Sequence, residues 1–156
     1  MNTYLKPYKE DCRYLQYATI SNLPKIIAYG EFVVPDSCYI KETNHINAID
    51  INICYNQLGY YLLYEMIEND LLKQYIDWDP TDFLRYQLSH VFITNLSMKF
   101  LKKITNKNFY GSICVDYVKK KKQNVIINTT FIFYENSSVR VKGRCEIIIE
   151  NSLSKL

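Results

Sequence analysis

The stretch from His45 to Ile67 constrains this 156-residue chain more than any other. It contains no proline, and Leu58, Tyr61, Leu62 and Met66 recur at helical spacing. Ile46, Ile49, Ile51, Ile53, Cys54 and Leu58 make its apolar content nearly all-round, which predicts a helix enclosed by protein rather than one lying on a surface. Ile49, Ile51 and Ile53 also alternate as a strand would, and the length of the segment decides for helix. Thr43 and Asn44 stand just upstream as candidate N-caps. A chain of this size builds one core, so the remainder must wrap this helix.

The flanking sequence is suited to that task. Met1 to Lys9 reads as an arm or short helix, and strands are expected near Arg13–Ile20 and Ile26–Val34 about an Asn22-Leu23-Pro24 turn. A further helical piece is expected over Asp70–Ile76. Asp79-Pro80 then forms an N-cap with proline at the first helical position, opening a helix toward Gln87. Period-two patterning predicts strands at Val91–Phe100, Phe109–Val118, Val125–Tyr134 and Val139–Ile149, joined largely as a meander. The last is the clearest, with Val139, Val141, Cys145, Ile147 and Ile149 on one side. The expected fold is α+β: one domain over residues 1–156 in which a curved antiparallel sheet wraps a long central helix, the hot-dog layout. A generic α+β sandwich is the alternative that the pattern leaves open.

Composition narrows the function. A net charge of +3 is far below that of a dedicated nucleic-acid binder, and Lys119 to Lys122 read as a solvated hairpin tip. No apolar run is long enough to span a bilayer, and no apolar signal region is present. The five cysteines are odd in number and dispersed, suggesting neither a disulfide framework nor a zinc site, and a reducing cytoplasm is the expected location. The sequence has no GxSxG elbow, P-loop, GxGxxG or HExxH, and only two histidines, His45 and His90. Cys54 falls inside the predicted helix, where a small hydrophobe is the better reading than a nucleophile.

Polar residues crowd the entrance to the apolar helix: Tyr39, Lys41 to His45, Asn47 and Asp50, with Asn56-Gln57 inside it. Buried amides require partners, so these are either structural fixings or a site. The motifs Cys12-Arg13-Tyr14-Leu15, Ala28-Tyr29-Gly30-Glu31-Phe32, Tyr39-Ile40, His45-Ile46-Asn47-Ala48 and Cys54-Tyr55-Asn56-Gln57-Leu58, in this order, resemble the FcoT-like long-chain acyl-CoA thioesterases. Weaker echoes occur at Tyr86-Gln87-Leu88-Ser89, and the resemblance runs from about Tyr8 to Ile149.

The resemblance implies a single hot-dog domain whose site is made of two tyrosines and two asparagines, matched here by Tyr8, Tyr39, Asn47 and Asn56, without a serine or cysteine nucleophile. His45 and Asp50 occupy positions where the family pattern has a histidine and an acid. The implied activity is hydrolysis of fatty acyl thioesters of coenzyme A or an acyl-carrier protein. Relatives in isonitrile lipopeptide pathways imply a second activity, addition of glycine to an α,β-unsaturated acyl thioester. The site calls for no cofactor or metal, and a homo-oligomer is expected by analogy. In chemical terms the helix start near His45–Ala48 offers free amides to an oxyanion, the two asparagines orient carbonyl and water, and the tyrosines donate. His45, with Asp50 second, is the candidate base. Two other classes stay open: a dehydratase pairing His45 with Asp50, and a non-catalytic acyl-thioester binding module. Asn47 and Asn56 lie nine residues apart, on opposite sides of a continuous helix, so a shared site requires Asn47 to sit in the cap or loop before it.

Overall fold

The computed structural model describes residues 2–41 and 43–151. The predicted long helix is α1, Ala48–Glu68, and it starts three residues later than expected. The Asn47 side chain accepts from the backbone of Ile49 and Asp50, while the Asp50 carboxylate takes the Asn47 N–H, a capping box that neither Thr43 nor Asn44 supplies. His45 is therefore outside the helix, and Ile46 forms an antiparallel bridge with Ile104. The strand-like alternation of Ile49, Ile51 and Ile53 is overridden by this cap and by burial of Ile51, Cys54, Leu58 and Leu62, all inaccessible to solvent.

Strands β1 (Leu15–Ser21), β2 (Ile27–Val33), β3 (Val91–Phe100), β4 (Asn108–Lys121), β5 (Asn124–Glu135) and β6 (Ser138–Ile149) form one antiparallel sheet in the order β1-β2-β4-β5-β6-β3. The last three strands are a meander, but β3 departs from the expected one: it crosses to the far edge and pairs with β6, from Val91↔Ile149 to Phe100↔Val141. Lys119 to Lys122 form the exposed end of the β4–β5 hairpin, as the charge run suggests, with Lys122 at φ 56° in the turn.

Glycines let the sheet close around large rings. Gly30 faces Gly111 across β2 and β4, and the rings of Phe32 and Phe133 lie over these positions, where side chains would collide with them. Against this inner face packs α1, with the Tyr55 ring 4.8 Å from that of Phe131 and its hydroxyl 2.7 Å from Thr129 Oγ1. Helix α2 (Pro80–His90) has the predicted Asp79 cap and closes over α1 through buried Phe83, which meets Tyr60 and Tyr64 edge-on. The expected helix over Asp70–Ile76 is instead a run of turns. Asp70 adopts φ 58°, and the backbone bonds of this run include Lys73 to Asp70 and Tyr75 to Leu72, so no continuous helical ladder forms.

The dispersed cysteines conceal one pairing. Cys12 and Cys38 are joined by a disulfide across a separation of 26 residues, with Cα atoms 5.4 Å apart. Sequence spacing could not reveal it, because the turn Glu10–Cys12 meets the loop after β2 only when β1 and β2 pair.

Candidate active site

The loop from Val34 to Ile46 and the first turn of α1 build a polar cluster. Asp50, fully buried, accepts from Ser37 Oγ at 2.8 Å and from the Asn47 N–H at 3.3 Å through one carboxylate oxygen. Asn47 Oδ1 is occupied in capping, at 3.0 Å from Ile49 N and 3.1 Å from Asp50 N, which leaves its amide N–H groups for other work. Burial first and the Asp50 charge second raise the Tyr39 pKa, outweighing the neighbouring Asn47 and Ser37 side chains, which lower it. Tyr39 is thus a neutral donor near pH 7.

Tyr14 underpins this cluster. Its hydroxyl accepts from the Cys38 N–H at 2.7 Å, and burial pushes its pKa up to about 12, with Asp50, Cys54 and Tyr39 adding to the shift against that hydrogen bond. Sequence reasoning passed over Tyr14 and Ser37 as site residues. Tyr14 was nevertheless visible inside the Cys12-Arg13-Tyr14-Leu15 motif, and the spacing of Asn47 and Asp50 is that of a capping box.

The other two predicted residues stand on a different turn. Tyr8 packs edge-on against Tyr60, ring centres 6.3 Å apart, and its carbonyl accepts from Arg13 Nε at 3.0 Å. Burial first, then Tyr60 and Cys54, raise the Tyr8 pKa, keeping it protonated. Asn56, one turn before Tyr60, donates to the Asn52 carbonyl at 2.8 Å and to Asn52 Oδ1 at 2.9 Å. It lines a small hollow of about 30 Å³ with Gly59, Tyr60, Val91, Phe92 and Ile93. That volume suffices for a single water molecule.

The structure therefore sets Asn47 in the cap outside the helix, near enough to Tyr39 to influence its hydroxyl, and packs Tyr8 on Tyr60, one turn beyond Asn56. Nine helical residues still separate the two asparagines by roughly 13 Å along the axis. Among the described residues, no hydrogen bond or ring contact links the two pairs directly.

His45 is exposed on the loop, and no hydrogen bond joins it to Asp50 among the described residues, so the histidine–acid pair expected for a dehydratase is not formed. It borders a cleft of about 430 Å³ whose other walls are Ile46, Asn47 and Ala48 on one side and Phe100 to Lys103 on the other. The expected set of free helix-start amides is reduced here, since Asn47 takes those of Ile49 and Asp50 and the Ile51 N–H bonds the Asn47 carbonyl. The Ala48 N–H is the first-turn amide that remains, in the wall of this cleft. A second cleft, about 730 Å³, is lined by Asp11, Ser37, Cys38, Tyr39 and Lys41 among others. Cys54 has no solvent access, and burial raises its pKa well above the ordinary thiol value, which removes it as a nucleophile.

Residues 3–149 match the FcoT-like thioesterase domain. The chain belongs to the FcoT-like thioesterase family. A relative from Streptomyces coeruleorubidus, named (2E)-enoyl-ACP glycyltransferase, is 30% identical over 153 residues, covering 94% of this chain and 93% of its own. One of the same name from Mycobacterium marinum is 28% identical over 152 residues, covering 94% and 83%. Solved structures share the fold at low identity. A thioesterase from Pseudomonas aeruginosa superposes with TM-score 0.52 at 7% identity, covering 85% of this chain and 81% of that one. A Staphylococcus aureus protein solved in complex with CoA gives 0.55 at 13%, covering 87% and 75%. Together with the helix-on-sheet architecture, these neighbours make this FcoT-like chain an α+β hot-dog protein. Among its described residues no helix is long and apolar enough to cross a membrane.

Proposed function

We propose that this FcoT-like protein is an enzyme that adds glycine to the β-carbon of a (2E)-enoyl group held as a thioester on an acyl-carrier protein. The observation that carries this reading is the match over 94% of this chain to relatives named as enoyl-ACP glycyltransferases, one of them covered to 93% of its own length. The chemistry suits the site. The glycine amine bonds to the β-carbon, electrons move through the alkene to the thioester oxygen, and a proton returns to the α-carbon. What the protein must supply is donors to the developing enolate oxygen, not a covalent nucleophile. The Ala48 N–H and the Asn47 amide, at the positive end of a 21-residue helix, are the donors in the 430 Å³ cleft. Tyr39 and Tyr8 act as neutral donors, and Asn56 positions the amine or a water.

Asp50 is a positioning residue, acting through Ser37 and Asn47, and His45 is the solvent-side candidate for proton transfer. Lys102 and Lys103, on the far wall of the cleft, suit the phosphate of a pantetheine-bearing carrier or of coenzyme A. The whole chain, 1–156, works as one domain in this reading, as a homo-oligomer in the cytoplasm. Thioester hydrolysis, with water in place of glycine, is the second reading, favoured by the family match itself.

Mass spectrometry of an enoyl-carrier substrate, with and without glycine, tests both. The expected result is a carrier gaining one glycine mass only when glycine is present, slowed on the order of a hundredfold in Asn56→Ala with folding intact. Free acid and carrier thiol as the sole products, with or without glycine, would instead leave hydrolysis as the activity, and an unchanged substrate would defeat both.

A further inference from the structure

The Cys12–Cys38 disulfide stands in the wall of the cleft that Tyr39 shares. Cys38 lines that space of about 730 Å³ beside Tyr39, with Asp11 on the other strand of the link. Both halves of the bond are tied to site residues. On one side the Cys12 carbonyl accepts from Gln57 Nε2 at 2.6 Å, and the next residue, Arg13, holds the Tyr8 carbonyl. On the other, the Cys38 N–H is held by Tyr14, and Tyr39 follows directly. The remaining thiols are placed differently: Cys54 and Cys145 are buried and Cys114 lies within β4.

We propose that this cystine is a covalent modification site for small thiols, and that exchange at Cys38 releases the loop carrying Tyr39. The step is thiol–disulfide exchange. An incoming thiolate bonds to Cys38 Sγ, the bond between the two cysteines breaks, and Cys12 leaves as a thiolate that takes up a proton from water. A second thiol then frees Cys38 and carries away the disulfide of the two small thiols, which act as the reductant. Cys38 is the sulfur attacked because it is the half of the cystine that lines the cleft, which leaves Cys12 as the leaving group. The loop then keeps its hydrogen bonds to Tyr14 and Asp50 but loses its covalent tether to the Tyr8 segment. In a compartment kept reducing, such a bond is exchangeable rather than permanent.

The test uses the oxidised full-length protein and pantetheine, followed by alkylation and peptide mapping. We expect one pantetheine on Cys38 and newly alkylated Cys12. No adduct, or adducts confined to Cys54, Cys114 or Cys145, would overturn the site. The release is read by trypsin cutting at exposed Lys41, expected to quicken on the order of tenfold in thiol-treated protein, because proteolysis follows local opening. An unchanged rate in protein shown to carry the adduct would overturn the latch. The C12S/C38S double variant should be cut at the fast rate with or without thiol; if it does not fold, the treated and untreated wild-type proteins still decide. None of these readouts depends on turnover, so they stand apart from the proposed activity.

Discussion

Gln57 offers the sharpest test of how this structure is held together. It has no solvent exposure and makes three hydrogen bonds to backbone: Oε1 accepts from Tyr14 N at 2.9 Å and Leu15 N at 3.0 Å, and Nε2 donates to the Cys12 carbonyl. One helical side chain thereby receives the chain as it enters β1. Replacing it by leucine keeps the volume, so water has no room to take over. Two buried N–H groups and one part-buried carbonyl then lose their partners at about 1–3 kcal/mol each. The lower half of that range, about 1–2 kcal/mol each, gives a loss of about 3–6 kcal/mol. Urea unfolding should show this as a lower midpoint at unchanged slope, and a thermal melt as a fall of roughly 10 °C, at about 2–4 °C per kcal/mol for a chain of this size. Asn56→Ala is the control, because its partner Asn52 belongs to the same helix; it should cost about 1 kcal/mol or less. A Gln57→Leu loss no larger than that of Asn56→Ala would refute the assignment of Gln57 to structure.

Two glycines should respond in opposite directions. A Cβ on Gly143 would run into the Phe131 ring and the Ser97 carbonyl, a backbone atom that cannot rotate away, so Gly143→Ala should destabilise by about 2–3 kcal/mol. A Cβ on Gly59 meets nothing nearer than Tyr55 Cε1 at 3.9 Å, so Gly59→Ala in mid-helix should stabilise by about 0.5–1 kcal/mol, both changes being read by urea unfolding. The protein should also be alkali-labile. Burial, ahead of neighbouring charges, raises the Tyr14 and Tyr61 hydroxyls to about 12, whereas in the unfolded chain they ionise near 10, so this contribution is whole below pH 10 and disappears as pH rises toward 12. Melting temperature measured from pH 9 upward should fall across that interval, and a flat profile would contradict it. Asn47→Ala removes the α1 cap and should lower stability by about 1–2 kcal/mol, whereas Asn47→Asp should keep the cap and lose the amide donors, separating stability from turnover in paired melting and kinetic measurements.

What the sequence made legible follows from the range of the forces involved. The helix, the α2 cap and all six strands were readable because periodicity and capping are local. Cap placement at α1 was readable in principle too, but the eye goes to Thr43 and Asn44, while the spacing that matters is Asn47 to Asp50. The path of β3 was not legible, since a strand patterned for the middle of a meander fits an edge equally well, and only its register with β6 decides. The same limit hid the disulfide and the role of Tyr14, both of which depend on β1 and β2 bringing residues 12, 14, 38 and 39 together. The candidate site shows how far a motif can carry. It assigned residue types to Tyr8, Tyr39, Asn47 and Asn56, and the cap position of Asn47 met the condition that nine-residue spacing imposes. It could not show that Asn47 spends its oxygen on the helix, nor that Asp50 is buried and taken up by Ser37 and Asn47. Those are consequences of burial: with Asp50 sealed beneath the first turn, its carboxylate is held by Ser37 and Asn47, and the proposed chemistry rests on neutral donors.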